Sequence, residues 1–144
     1  MNVTIRVAAE SDAVPLATLS TQLGYPASSE VMRERLRYKP DPNRALFVAE
    51  SGNEVVGCLE VAVMFAWETG EWAEIRGLVV LDSARSLGIG GKLVAHAKEW
   101  AHGRGHTKLR VRTNEVRTRT HEFYERLGFM KTKSQRVYDI SLGV

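Results

Sequence analysis

The chain is poor in the features that fix many small proteins: among its 144 residues it has a single cysteine, only four prolines, and no Gly-, Ser- or Pro-rich stretch. One cysteine excludes an intramolecular disulfide, so a hydrophobic core must hold the fold. A chain of this length buries about two-thirds of its unfolded surface, which suffices. Cys58 lies in the apolar run VVGCLEVAV with no cationic neighbour in sequence, so it reads as a small buried hydrophobe and not a reactive thiol. The amino terminus, MNVTIRVAAESDAVPL, has no basic leader followed by an apolar segment. The longest apolar stretch, 55–67, is broken by Glu60 and falls short of the roughly 20 residues of a membrane span. No membrane partner is expected, and the expected location is the cytoplasm. With no internal repeat and no linker, residues 1–144 are expected to form one domain.

What is abundant is positive charge in the carboxyl-terminal part. The net charge is +3, and between Arg104 and Arg136 ten Lys and Arg residues face three glutamates. Such a stretch is either a solvated basic face or a surface for a phosphorylated ligand or polyanion. No nucleic-acid-binding module is visible and few aromatics interleave the arginines, so nucleic acid is not expected as a partner.

The element pattern is mixed. VTIRVA (3–8) reads as a strand, and SDAVPLATLSTQL (11–23) as a helix with Ser11 or Asp12 as N-cap and Gly24 as its end. A second helix follows at SSEVMRERLRYK (28–39). ALFVAES and EVVGCLEVAVMFAW form a hairpin across SGNE, and a turn at ETGE leads into WAEIRGLVVL. From Ile89, apolar residues recur at helical spacing (Leu93, Ala97, Trp100, Ala101) until Gly103 and Gly105. TKLRVRT reads as a strand, Asn114 as the cap of a fourth helix closed by Gly128, and FMKTKSQRVYDISL as the last strand or strands. The result is a mixed α+β fold (α/β in the broad sense). Its mainly antiparallel sheet has six or seven strands, includes one splayed parallel pair, and is flanked by about four helices. The parallel pair is WAEIRGLVVL and TKLRVRT, joined by a right-handed crossover through the glycine-led helix.

The segment between those two strands carries the chemistry. In RSLGIGGKL a phosphate loop of the Gly-x-x-x-x-Gly-Lys-Ser/Thr type fails, because Ser86 and Leu93 occupy two required positions. A dinucleotide fingerprint fails as well, since its third glycine would fall on Leu93. Arg85-Ser86-Leu87-Gly88-Ile89-Gly90 remains, an Arg-x-x-Gly-x-Gly sequence after a strand and at a helix start. Backbone N–H groups and the helix dipole can converge there on an anion such as pyrophosphate; the alternative is a tight turn and nothing more.

This junction resembles the cofactor motif of the GNAT superfamily of acyl-CoA-dependent N-acyltransferases. TNEVRTRTHEFYERLGF (113–129) is similar to the family's late strand, asparagine and helix ending in Phe-Tyr-Glu-x-x-Gly-Phe, and the two signatures stand in the family's order. The resemblance implies an N-acetyltransferase that moves an acetyl group from acetyl-CoA to a primary amine through a tetrahedral intermediate, with no metal. The pyrophosphate would rest on the amides of Leu87, Gly88, Ile89, Gly90, Gly91 and Lys92, with Arg85 and Ser86 beside them. The pantetheine would run along the backbone of Leu78, Val79 and Val80, with Asn114 either reaching it or capping its helix.

By the same resemblance Tyr124 is the proton donor to the departing thiolate, and Glu74 the base or else an ion-paired carboxylate, with Arg76 as partner. An amide near Val79 or Val80, freed where the parallel strands splay, would serve the oxyanion. Tyr25, Trp67 and Trp72 are candidate aromatic walls for the acceptor, which is a small-molecule amine or a protein amino group. A non-catalytic acyl-CoA-binding regulatory module is the alternative. At the carboxyl terminus SQRVYDISL offers an edge strand for a homodimer, or one protected by its charges.

Overall fold

The computed structural model describes residues 2–85 and 87–143. Period-two apolar patterns become strands β1 (Val3–Val7), β2 (Arg44–Ser51), β3 (Glu54–Ala66), β4 (Gly70–Val80) and β5 (Leu109–Val111). Helical spacing produces α1 (Ala13–Leu23), α2 (Ser29–Leu36), α3 (Ile89–Gly103) and α4 (Thr118–Arg126). α1 ends at Gly24, whose φ of 106° is the left-handed conformation that a terminating glycine supplies without strain. α2 starts at Ser28, whose hydroxyl accepts the Val31 N–H at 3.1 Å. Asp12 stands at the N-cap position of α1, one of the two residues expected there, but it ends a turn of 3-10 helix over Glu10–Asp12 and its side chain makes no capping bond to α1. Asp12 is buried there, accepting the Ala9 N–H at 2.7 Å and two bonds from Arg6 at 2.8 and 2.9 Å.

The sheet has the order β1-β2-β3-β4-β5, antiparallel except for β4 and β5, which run parallel as the sequence implies. It has five strands where six or seven were expected. Residues 129–143 form no strand, and Met130, Val137, Tyr138, Ile140 and Leu142 are exposed. Alternation alone does not make a strand, because the backbone N–H and C=O groups also need a ladder partner. The chain divides into two compact units, Met1–Arg112 and Thr113–Val144. All five strands and the first three helices belong to the first unit.

On one face of the sheet, Leu16 and Leu19 of α1 pack with Val48, Val55 and Val79, and Met32 and Leu36 of α2 join them. On the other, α3 buries Ile89, Leu93, Val94, Ala97 and Ala101. Gly57 of β3 permits that approach: a Cβ there would stand 3.1 Å from the Val79 carbonyl oxygen and 3.3 and 3.4 Å from Leu93 and Ile89. Among the described residues no helix is long and apolar enough to cross a membrane.

Candidate active site

β4 positions the candidate chemistry by an irregularity. Its pairing with β3 runs Gly57↔Val80 to Glu60↔Gly77 and resumes at Val61↔Ile75, so Arg76 is an extra, bulged residue. The bulge changes which face of β4 each residue occupies, placing Trp72 and Glu74 on the same face as Gly77 and Val79. β5 pairs with β4 only at Ala73, Glu74 and Ile75. Beyond Ile75, β4 therefore has no strand partner on that side among the described residues.

The alternation of the ladder decides which amides face the open side. Leu81 N–H donates to the Val56 carbonyl at 2.8 Å. In an antiparallel ladder that bond turns the N–H and C=O of Val79 toward Cys58 and those of Leu78 and Val80 away from β3. Val79 is thus corrected as a backbone contact, because its amide is spent in the sheet and its side chain is buried in the core. The N–H groups of Leu78 and Val80 lie on the side of β4 that β5 leaves open. Gln22, which sequence reasoning missed, closes the end of the strand: its Nε2 donates to the Val80 carbonyl at 2.7 Å, and its Oε1 accepts the Asp82 N–H at 3.1 Å. Nothing in the local sequence marks Gln22, whose partners lie some sixty residues away.

The glycine junction opens α3 as expected. Gly88 stands before the helix with φ 75°, the left-handed region that favours glycine, and no side chain caps the helix start. Ile89 points into the core and Leu87 is exposed. The Lys92 N–H is not available, because it donates to the Gly88 carbonyl at 3.1 Å within the helix. Only the amides before it are uncommitted by the helix ladder, so Lys92 can contribute its charge alone. Arg85 pairs with Asp82 at 2.9 Å, both half or more exposed, a contact weak enough to yield to a phosphate. Ser86 lies outside the described residues.

Glu74 is nearly fully buried. Trp72 Nε1 donates to its Oε1 at 2.9 Å, Arg76 Nη1 to its Oε2 at 2.6 Å, and Arg112 Nε to its Oε1 at 3.2 Å. Burial alone would raise its pKa, but the bonds from Trp72 and Arg76 and the charge of Arg112 outweigh it, and the carboxyl is held below its ordinary value. This is the ion-paired arrangement that the sequence left open. A carboxylate with both oxygens occupied and a lowered pKa accepts a proton poorly.

The other expected residues separate. Trp72 is a ligand of Glu74, and its ring lies 5.3 Å beneath the Arg110 guanidinium. Tyr25 and Trp67 are exposed, at 66% and 88%, one after α1 and the other at the tip of the β3–β4 hairpin. The hydrophobe reading of Cys58 holds: burial pushes its thiol up to about 12.

In the carboxyl-terminal unit, Asn114 does not cap α4, which begins four residues later. Its Oδ1 accepts the Val116 N–H at 3.1 Å in a side-chain turn, and its carbonyl bonds His121 Nε2 at 2.9 Å. Tyr124 has a buried ring in edge contact with Phe123 (5.1 Å) and Phe129 (5.4 Å). Burial pushes its hydroxyl up to about 12. Among the described residues no buried polar side-chain atom lacks a partner, so the Tyr124 hydroxyl, which makes no hydrogen bond, keeps contact with solvent.

A family model for the acetyltransferase (GNAT) family matches residues 14–129. The chain belongs to the GNAT acetyltransferases. It is 28% identical over 131 residues to an uncharacterised N-acetyltransferase, CT2212, of Chlorobaculum tepidum, a span covering 91% of this chain and 77% of that protein. Among solved structures it is similar to a transcriptional regulator of Bacillus halodurans (29% identity, TM-score 0.77, covering 96% of this chain and 100% of that one). The same fold occurs in the aminoglycoside 6'-N-acetyltransferase AAC(6')-Ih of Acinetobacter baumannii (20% identity, TM-score 0.85, covering 99% and 100%). It occurs also in AAC(6')-Iy, solved with the bisubstrate analogue CoA-S-monomethyl-acetylneamine (20% identity, TM-score 0.82, covering 98% and 99%). As a GNAT protein the chain is an acyltransferase.

Proposed function

We propose that this GNAT protein transfers the acetyl group of acetyl-CoA to a primary amine. The observation that carries the reading is the pairing of an open β4 edge at Leu78 and Val80 with the Gly88-led start of α3 immediately downstream. Amides at a helix start suit the pyrophosphate of the cofactor, and the edge of β4 suits the amides of pantetheine laid alongside it as an extra strand. Arg85 and Lys92 add charge for the phosphates, and Asn114 supplies a side-chain amide to the pantetheine. The residues fit such a group because the donors are backbone N–H groups not already spent in a ladder.

In the reaction the acceptor ammonium first gives a proton to water, the neutral amine nitrogen attacks the thioester carbonyl carbon, the resulting oxyanion takes a hydrogen bond from a backbone N–H on the open side of β4, and the C–S bond breaks. The ammonium proton of the intermediate leaves to water, the thiolate takes its proton from the Tyr124 hydroxyl, and the tyrosinate takes one back from water, which restores the starting state. A phenol whose pKa is about 12 stays protonated at working pH, so the proton is present in every turnover, although burial makes the hydroxyl a weaker acid. Glu74 holds Trp72, Arg76 and Arg112 in place and does not take the proton itself. The family match spans 14–129 and crosses the boundary at Arg112, which supports the two units acting as one catalytic domain. Exposed Tyr138, Ile140 and Leu142 support a homodimer, which the apparent mass on size-exclusion chromatography tests.

Free-thiol release from acetyl-CoA over a panel of amines tests the function. Amine-dependent release supports it. Acetyl-CoA that raises the melting temperature without any release would favour the regulatory module, a reading that the likeness to the Bacillus halodurans regulator keeps open.

A further inference from the structure

A groove on the sheet face that carries α1 and α2 is lined by Glu34, Leu36, Tyr38, Arg44, Leu46 and Glu60. Its two half-buried charges are placed by register. Arg44 pairs with Ala62 and Leu46 with Glu60, so Arg44 and Glu60 are diagonal neighbours on one face, with Cβ atoms roughly 7 Å apart. They do not join: no ion pair forms between them, and among the described residues Glu60 makes no hydrogen bond. Arg44 is instead held from behind, with Nη2 donating to the Lys39 carbonyl at 2.8 Å and the guanidinium 5.7 Å from the centre of the Tyr38 ring. An oriented cation and an unspent anion thus face one gap.

Of the residues that line the groove, Glu60 is the one whose strand neighbour lies on β4. Glu60 stands in register with Gly77, where a Cβ would meet nothing within 4 Å, and the next residue, Leu78, is the first with its amide on the open side. The backbone of Glu60 is therefore about one strand spacing, roughly 5 Å, from that of β4, with open space over Gly77 on the face that Glu60 shares.

We infer that the acceptor is a zwitterion of the amino-acid type, its amine at Glu60 and its carboxylate at Arg44; this rests on the acetyl transfer proposed above. A polycation would use Glu60 and Glu34 but meet Arg35 and Arg44 with like charge, and an amine without a carboxylate would leave Arg44 with the Lys39 carbonyl as its acceptor and no anion. The groove thereby displaces Tyr25 and Trp67 as the recognition elements expected from the sequence.

The test compares kcat/KM for the amino acids, their carboxamides, and a polyamine and an aminoglycoside, in wild type and in Arg44→Gln, Arg44→Lys and Glu60→Gln. We expect at least one amino acid to exceed its carboxamide tenfold or more. Arg44→Gln should abolish that preference through KM, Arg44→Lys should restore part of it, and Glu60→Gln should raise KM for acid and amide alike, with melting temperatures checked for each variant. Preference for the polyamine or aminoglycoside, or a preference that Arg44→Gln leaves intact, would overturn the inference. If acetyl-CoA binds and no amine is acetylated, the transferase reading fails instead. Saturation-transfer NMR of the same amino acids then decides the groove: contact with wild type but not with Arg44→Gln supports it, and equal signals or none overturn it.

Discussion

Arg76 holds Glu74 across the bulge of β4, its Nη1 2.6 Å from Glu74 Oε2, with the carboxylate buried and the guanidinium half exposed. Together with Arg112 and Trp72 this bond fixes the conformation of β4 at the point where β5 leaves it. Removing the carboxylate leaves two guanidinium groups and an indole N–H without their acceptor. Breaking a buried pair costs about 3–5 kcal/mol, and the partial exposure of both arginines should reduce that to about 2 kcal/mol for Glu74→Ala. Glu74→Gln should cost less, and the acidic limb of its pH–rate profile should match that of wild type. Loss of that limb, measured alongside urea unfolding, would show that Glu74 titrates in the reaction.

Gly57 lets the start of α3 settle on β3 because it has no Cβ. Gly57→Ala should destabilise by about 1–3 kcal/mol, the usual range for overpacking, since a backbone oxygen 3.1 Å away gives little. The same shift should loosen the start of α3, so the rise in melting temperature caused by acetyl-CoA should shrink. Gly88→Ala should weaken acetyl-CoA binding about tenfold through its positive φ, about 1–2 kcal/mol of strain, with little change in core packing. Calorimetric titration distinguishes the two.

How much of this was legible depends on whether the signal is local. The helix of Ile89–Gly103, the turn glycines and the hairpins follow from spacing and from residues that punctuate the chain, so they could be read directly. The Arg76 bulge could not, because it is a property of the register between β3 and β4 and not of either strand. For the same reason the commitment of the Val79 amide and the clamp by Gln22 were invisible. The segment RVYDISL shows the converse failure, a clear alternation without a ladder. The glycine junction was legible and the ion-paired state of Glu74 was readable only as an alternative, since Arg112 is distant in sequence.

Acid should unfold the protein through two carboxylates. The hydrogen bonds from Arg6 outweigh the burial that would raise Asp12 and hold it below its ordinary value, and Glu74 is likewise lowered. Between those depressed values and the unfolded value near 4, the unfolded chain binds more protons, so stability rises with pH there. It should be flat above about pH 5 and fall as the pH drops through the folded values. Asp12→Asn should be less stable at pH 7 and show a shallower acid dependence in thermal melts from pH 2 to 7.

Tyr124→Phe keeps the ring contacts with Phe123 and Phe129 and removes only the hydroxyl. It should lower kcat about 10²-fold, the lower end of the general-acid range, with the melting temperature unchanged. Because burial pushes the wild-type hydroxyl up to about 12, its loss of a proton should not depress the rate between pH 8 and 10. A wild-type basic limb in that window that disappears in Tyr124→Phe would contradict the raised pKa, and an unchanged kcat in Tyr124→Phe would contradict the donor role.

The most direct test of the central claim follows the acetyl group itself. Purified protein is incubated with acetyl-CoA labelled in the acetyl carbons and with a panel of amines, and both products are measured by mass spectrometry. The account predicts one labelled acetyl on an amine for each free CoA thiol formed. Labelled acetate in place of an acetylated amine, or thioester left intact with every amine, would contradict it.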